Sequence, residues 1–227
     1  MFLFLSVKNN VHRFFYLVFL ISMVSAQNLQ LHYDFSQDRS YFTSTLEMYR
    51  PDERGATFWF VDFDYNEPNS TGASLGYWEI ARYFKTTFNK NFSLTLQFND
   101  GVASWGSLGQ AWLAGGVYAF SLNKLNLSTE LMYRQLRGSS SADGQLTFVF
   151  FVPLLSGRAH FTGFMDIWTQ DEMGDKAKKV IIMSQPQIWY TLSEKFYIGG
   201  EARITKNFSP QKGWHLYPTM GVKWEME

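Results

Sequence analysis

No cysteine occurs among the 227 residues, which excludes disulfides, thiolate metal sites, cysteine nucleophiles and the lipid-modified cysteine of a bacterial lipoprotein. Charge is also scarce. Asp, Glu, Lys and Arg make up 18% of the chain, against roughly 25% in an average soluble domain. A spanning helix needs roughly 20 consecutive apolar residues, and the one apolar run, Phe14 to Met23, is shorter than that, which argues against a helical membrane protein. That run follows Lys8 and Arg13 and precedes the small residues Val24-Ser25-Ala26. The order predicts a signal peptide over 1–26, cleaved before Gln27, with a mature domain over 27–227. Cleavage would remove two of the 20 Lys+Arg and none of the 20 Asp+Glu, leaving a formal charge of about −2. No basic surplus exists for a nucleic-acid partner.

What the chain has in quantity is aromatic residues, 19% of it, at a mean hydropathy of −0.19. A soluble sandwich would hide such residues between sheets and carry more charge outside. A barrel in lipid does the reverse and needs aromatic girdles at both interfaces. Period-two alternation recurs along the chain. Leu29, Leu31, Tyr33 and Phe35 alternate with Gln30, His32 and Asp34; Phe92, Leu94, Leu96 and Phe98 alternate with Ser93, Thr95, Gln97 and Asn99. Leu125 to Arg134, Phe196 to Ile204 and Trp214 to Glu225 repeat the pattern with charge confined to one face. In hydrocarbon every backbone polar group must be paired, so strands can cross only as a closed sheet. With less regular stretches at 41–50, 57–66, 75–85, 110–121, 145–154, 158–169 and 179–192, the expectation is an all-β, closed antiparallel transmembrane barrel of about 12 strands in the cell outer membrane. Short connections alternate with longer ones, which places short turns and both termini in the periplasm and the longer loops outside.

If the apolar set faces lipid, the other set lines the lumen. Parity turns Asp34, Glu47, Asp62, Asp64, Glu79, Glu130, Asp166 and Glu201 inward, with Arg134, Arg203 and Lys223 among the basic partners. Tyr49, Tyr77, Phe164, Trp168, Gln185 and Tyr217 share that space. These residues are candidate pore-lining or substrate-binding groups. Carboxylates, guanidinium groups and aromatic faces suit a polar, ring-bearing solute. The alternative is a filled interior in which the charges pair, since a buried unpaired charge is costly. That would be a non-conducting structural barrel. A third reading is enzymatic. His160 and Thr162 lie two apart on one strand face, a spacing like the His-x-Ser of lipid A deacylases, but a nucleophile needs an oriented base and a histidine beside a hydroxyl is more often a structural pair. The expectation is a non-enzyme with no cofactor. Asp62-Phe63-Asp64 reads as strand alternation before it reads as a calcium loop, and no cluster has metal-ligand spacing.

The chain resembles the nucleoside-specific (Tsx-like) outer-membrane channel family over most of its mature length. The resemblance rests on Thr45-Leu46-Glu47 leading into Phe58-Trp59-Phe60-Val61-Asp62-Phe63-Asp64-Tyr65, then Trp78-Glu79-Ile80, Phe151-Val152-Pro153 and Phe161-Thr162-Gly163-Phe164-Met165-Asp166-Ile167-Trp168. Short barrels of gut Bacteroidetes are also similar. The resemblance implies a monomeric twelve-stranded barrel in outer-membrane lipid with a narrow pore that admits nucleosides. Glu47, Asp62, Glu79 and Asp166 fall inside the matching segments and are the positions it carries over as pore-lining.

Overall fold

The computed structural model describes residues 28–37, 39–66, 71–171, 177–208 and 211–226. The expected signal peptide lies outside them. The strand segments are β1 (Asn28–Asp34), β2 (Phe42–Asp52), β3 (Gly55–Tyr65), β4 (Ala73–Lys85), β5 (Phe92–Ala103), β6 (Gly106–Ser107), β7 (Ala111–Leu122), β8 (Leu125–Leu136), β9 (Asp143–Leu154), β10 (Ala159–Asp171), β11 (Lys178–Ser184), β12 (Gln187–Thr191), β13 (Phe196–Lys206) and β14 (Trp214–Glu225). Every ladder is antiparallel, and β1 pairs with both β2 and β14 while β9 pairs with β10, so the sheet closes on itself. The result is a 12-strand barrel, because one of the 14 segments is not a strand of its own and two others are halves of one. The short β6 folds back on the end of β5.

The segments β11 and β12 form a single strand. Met165 faces Ser184 and Thr162 faces Gln187, so the register with β10 is the same on both sides of the break. The register with β13 is likewise continuous, from Ser184 opposite Ile204 to Gln187 opposite Glu201. Between the halves stand Gln185 and Pro186. Proline has no N–H to give to a ladder, which interrupts the pairing without inserting a residue. The uninterrupted stretch expected over 179–192 is therefore split, and its alternation survives the split.

The polarity is inverted relative to a soluble domain. Inward positions hold Gln30, His32, Asp34, Asp64, Thr95, Gln97, Asn99 and Glu130, all buried. The outward set of β14, Trp214, Leu216, Met220, Val222 and Trp224, is exposed, with Trp224 stacked on Phe196. Outward Leu94, Leu96, Trp112, Tyr118, Leu131 and Tyr133 continue this surface around the barrel. An apolar exterior of this extent would drive association in water, and a bilayer satisfies it. Strands of 11 to 13 residues in β2 to β5 and β7 to β10, β6 apart, are long enough to cross when tilted.

Connections at one end are short, such as Glu53-Arg54 and Asn123-Lys124, where Asn123 takes the positive φ of 54° that a tight hairpin wants. Those at the other end are longer, including 35–41, 104–110 and 207–213. At the turn end Arg82 forks onto Asp52 with contacts of 2.5 and 2.9 Å. This bond holds the Asp52 carboxyl well below the usual carboxylate range. A lowered folded-state value stabilises above the ordinary carboxylate pKa and is lost as pH falls below about 4. Asp52→Asn is thus expected to lower the thermal midpoint slightly at neutral pH, because the pair is exposed. The gap should shrink progressively as pH falls below about 4, and a gap unchanged between about pH 7 and the lowest pH at which the barrel stays folded would refute the assignment.

Candidate functional site: the barrel lumen

Residues directly opposite in an antiparallel ladder share a face, so the register assigns the inward set. One row runs Asn28, Glu47, Phe60, Glu79, Asn99 and Ala111 across β1 to β7. A second runs Thr45, Asp62, Tyr77 and Gly101, and a third runs Val117, Glu130, Thr147, Asp166, Met183 and Thr205. Arg134 stands opposite Leu113, Glu201 opposite Gln187 and Arg203 opposite Tyr217, while Asp34 and Asp64 share their faces with Thr219 and Thr43. Glu47, Asp62, Glu79, Arg134, Asp166, Glu201 and Arg203 are each part-exposed. An inward side chain of a closed barrel can be reached only from the interior.

These carboxylates are held by uncharged donors, most of them from other strands. Asn28 Nδ2 donates to Glu47 at 2.9 Å, Thr45 Oγ1 to Asp62 at 2.5 Å and Thr147 Oγ1 to Asp166 at 2.5 Å. Glu79 accepts from the Tyr77 hydroxyl at 2.5 Å and from Asn99 at 2.9 Å. Glu130 accepts from Gln97 at 2.7 Å and from Tyr83 at 3.1 Å, and the two oxygens of Glu201 take Gln185 at 3.0 Å and Gln187 at 2.9 Å. The cations are handled differently. Among the described residues neither Arg134 nor Arg203 has a carboxylate oxygen within 4.0 Å. Arg134 instead donates to Gln145 at 3.0 Å and lies over the Trp168 ring at 5.4 Å.

Cations over aromatic rings occur at both ends. At the turn end Lys223 Nζ sits 5.0 Å from the Trp189 ring and 4.6 Å from the Tyr197 ring, with His160 Nε2 at 3.2 Å. Trp189 is fully buried and meets the His32 ring edge-on at 5.4 Å. It fills the space opposite Gly199, and Gly221 leaves room for His32. At the loop end Arg39 reaches back to Asp34, and Lys178 bridges Asp143 at 2.7 Å and Asp171 at 2.5 Å. Arg39 escapes strand parity because it lies in a connection. The uncharged donors were legible in principle, since Thr45, Gln97, Asn99 and Thr147 occupy the same alternating face as the carboxylates.

His160 and Thr162 are not joined. The Thr162 hydroxyl donates to the Phe150 carbonyl at 3.0 Å, and the His160 ring packs on Phe151 and Tyr197 beside Lys223. A threonine donating to the backbone has no base taking its proton.

A family model described as "Domain of unknown function (DUF5020)" matches residues 26–226. The chain belongs to that family. No curated protein matches the sequence. Among solved structures, a KdgM porin in complex with disordered oligogalacturonate superposes with a TM-score of 0.53 at 12% identity, covering 88% of this chain and 99% of that one. A NanC porin superposes with a TM-score of 0.56 at 9% identity, covering 89% and 100%. At such identities the likeness is one of fold, and it agrees with the closed barrel described above.

Proposed function

We propose that this DUF5020 protein is a passive outer-membrane channel for small polar solutes, with nucleosides the first solute to test. The observation that carries the reading is the state of the lumen carboxylates. Glu47, Asp62, Glu79, Asp166 and Glu201 are anchored by uncharged donors and remain part-exposed to the interior. A lumen built only for stability would pair such charges with cations, because an uncompensated charge costs most when water is excluded. Fixed charges facing an interior passage instead offer a solute weak, repeated contacts from which it can leave.

The likeness to porins supports this class, and the sequence resemblance to nucleoside channels supplies the solute. Oligogalacturonate, the compound in the KdgM structure, is a polyanion, and a lumen with more carboxylates than basic groups disfavours it. An uncharged ring with hydrogen-bonding edges fits better among Tyr77, Phe60 and Trp168. Glu47, Asp62, Glu79, Glu130, Asp166 and Glu201 would then line the path with Arg134 and Arg203, while Asp34 and Asp64 stand at its outer mouth. The concentration gradient does the work, so no cofactor is required. The barrel acts as a monomer, and its only standing partner is outer-membrane lipid. A non-conducting barrel is favoured by one observation, the fully buried Trp189 beside Lys223 at the turn end.

Liposome swelling with the mature barrel decides between these two. Faster swelling with nucleosides than with sugars or amino acids of similar size is expected, and none with any solute would refute the channel. Glu79→Ala and Asp166→Ala are expected to alter solute flux about tenfold or more with little loss of folding, a magnitude set by losing one charged hydrogen-bond acceptor of about 1.5–3 kcal/mol. Flux equal to wild type in both would remove them from the path.

A further inference from the structure

Arg39 belongs to the connection 35–41, yet its side chain is drawn into the outer mouth. Its Nε lies 2.6 Å from Asp34 Oδ2 and its Nη2 4.0 Å from Asp64 Oδ2. The guanidinium carbon stands 4.7 Å from the centre of the Tyr41 ring and 5.0 Å from that of Tyr217. The four surrounding residues are all nine-tenths buried or more, at 3% exposure for Asp34, 4% for Asp64, 4% for Tyr41 and 6% for Tyr217. Each is fixed independently of Arg39. The Tyr41 hydroxyl donates to Asp64 at 3.2 Å, Thr43 donates to the other Asp64 oxygen at 2.6 Å, the Ser36 amide donates to Asp34 at 2.9 Å, and the Tyr217 hydroxyl bonds Gln211. Two rigid rings and two carboxylates thus surround one flat cation, a chemistry that suits guanidinium and not a compact ammonium.

The occupant is less settled than its box. Ser40, the next residue, takes a φ of 27°, in the left-handed region that non-glycine residues avoid. The arginine side chain itself keeps 18% exposure, so the box opens to the outside. We propose that the outer mouth carries a binding site for planar guanidinium-type cations, formed by Asp34, Asp64, Tyr41 and Tyr217, which Arg39 fills as a tethered ligand. A guanidinium-bearing solute arriving from outside exchanges with Arg39 and releases its side chain from the mouth. The exchange step deepens the channel reading and rests on it; the site does not.

The test uses the mature barrel in detergent with guanidinium chloride as the probe and sodium and methylammonium chloride at equal millimolar concentration as controls. Arg39→Ala is expected to lower the thermal midpoint, and guanidinium alone should restore about half of the loss by binding the native state. Tyr217→Leu added to Arg39→Ala should abolish the recovery. Equal recovery with all three salts, or none with guanidinium, overturns the site. If Arg39→Ala does not fold, Arg39→Lys carries the same comparison, because an ammonium does not span both rings. In planar bilayers Arg39→Ala should conduct about twofold more than wild type, with guanidinium on the loop side returning it to the wild-type level. Absence of conductance in every form, with the midpoint recovery intact, would leave the site standing and overturn the channel; conductance unchanged by Arg39→Ala or by guanidinium would overturn the exchange.

Discussion

Glu79→Gln is expected to lower the cation-to-anion permeability ratio about threefold, read as a shift of reversal potential across a planar bilayer bathed in unequal potassium chloride. A unit charge acting on a passing ion at ~6 Å through water is worth about 0.7 kcal/mol, which is close to that factor. Glutamine keeps an oxygen for Tyr77 and Asn99, which donate to Glu79 from its own strand and from β5, so only the charge is removed. Wild type should favour cations, since Glu47, Asp62, Glu130, Asp166 and Glu201 share the interior with fewer basic groups. Asp62→Asn should act in the same direction, because Thr45 can still donate to the amide oxygen. The two changes combined should give less than the product of the separate effects, because Asp62 and Glu79 are diagonal neighbours on one face of β3 and β4. A reversal potential identical to wild type in the double variant would place both carboxylates outside the ion path and leave solute selection to other residues.

The second large effect concerns folding. Gly199→Val is expected to abolish the folded barrel, read as loss of the fast-migrating, heat-modifiable band on a denaturing gel. A Cβ at position 199 would lie 1.9 Å from the Ile188 carbonyl oxygen and 2.9 Å from Cε3 of Trp189. The first contact is with the backbone of the adjoining strand, which cannot yield without breaking the β12–β13 ladder. Overpacking commonly costs 1–3 kcal/mol when side chains can shift, and about that much or more is expected where they cannot. Gly221→Ala makes a milder comparison, because its closest backbone contact, the Leu31 carbonyl oxygen, stands at 2.8 Å and not 1.9 Å, and the next, the His32 imidazole at 2.9 Å, is a side chain. A Gly199→Val barrel that folds with wild-type stability would mean that β12 and β13 part more easily than their pairing indicates.

The barrel class and the inward face were readable because they depend on period-two alternation and on the need to pair every backbone group in lipid. The segment 92–99 shows this well, with Leu94 and Leu96 outward and Thr95, Gln97 and Asn99 inward. What was not readable was which neighbour each inward group meets. Strand parity says that Glu130 faces inward, but its partner Gln97 comes from β5, across β7, and that proximity depends on the width and closure of the barrel. Arg39 was invisible for another reason, since a connection has no alternation to read. The interruption at Pro186 sat in plain sight, and its effect on pairing follows directly from the missing N–H, but nothing in the residue order alone says that the register resumes unchanged.

The anchoring of the carboxylates also has a mechanical side. Asn28 to Glu47 ties β1 to β2, Thr45 to Asp62 ties β2 to β3, Asn99 to Glu79 ties β4 to β5, Thr147 to Asp166 ties β9 to β10, and Gln187 to Glu201 ties β12 to β13. Each bond is a transverse stitch added to the backbone ladder, and together they reinforce five of the strand junctions around the circumference. A wall braced in this way resists widening under a bulky solute, so the size limit for passage should be a sharp threshold and not a gradual decline.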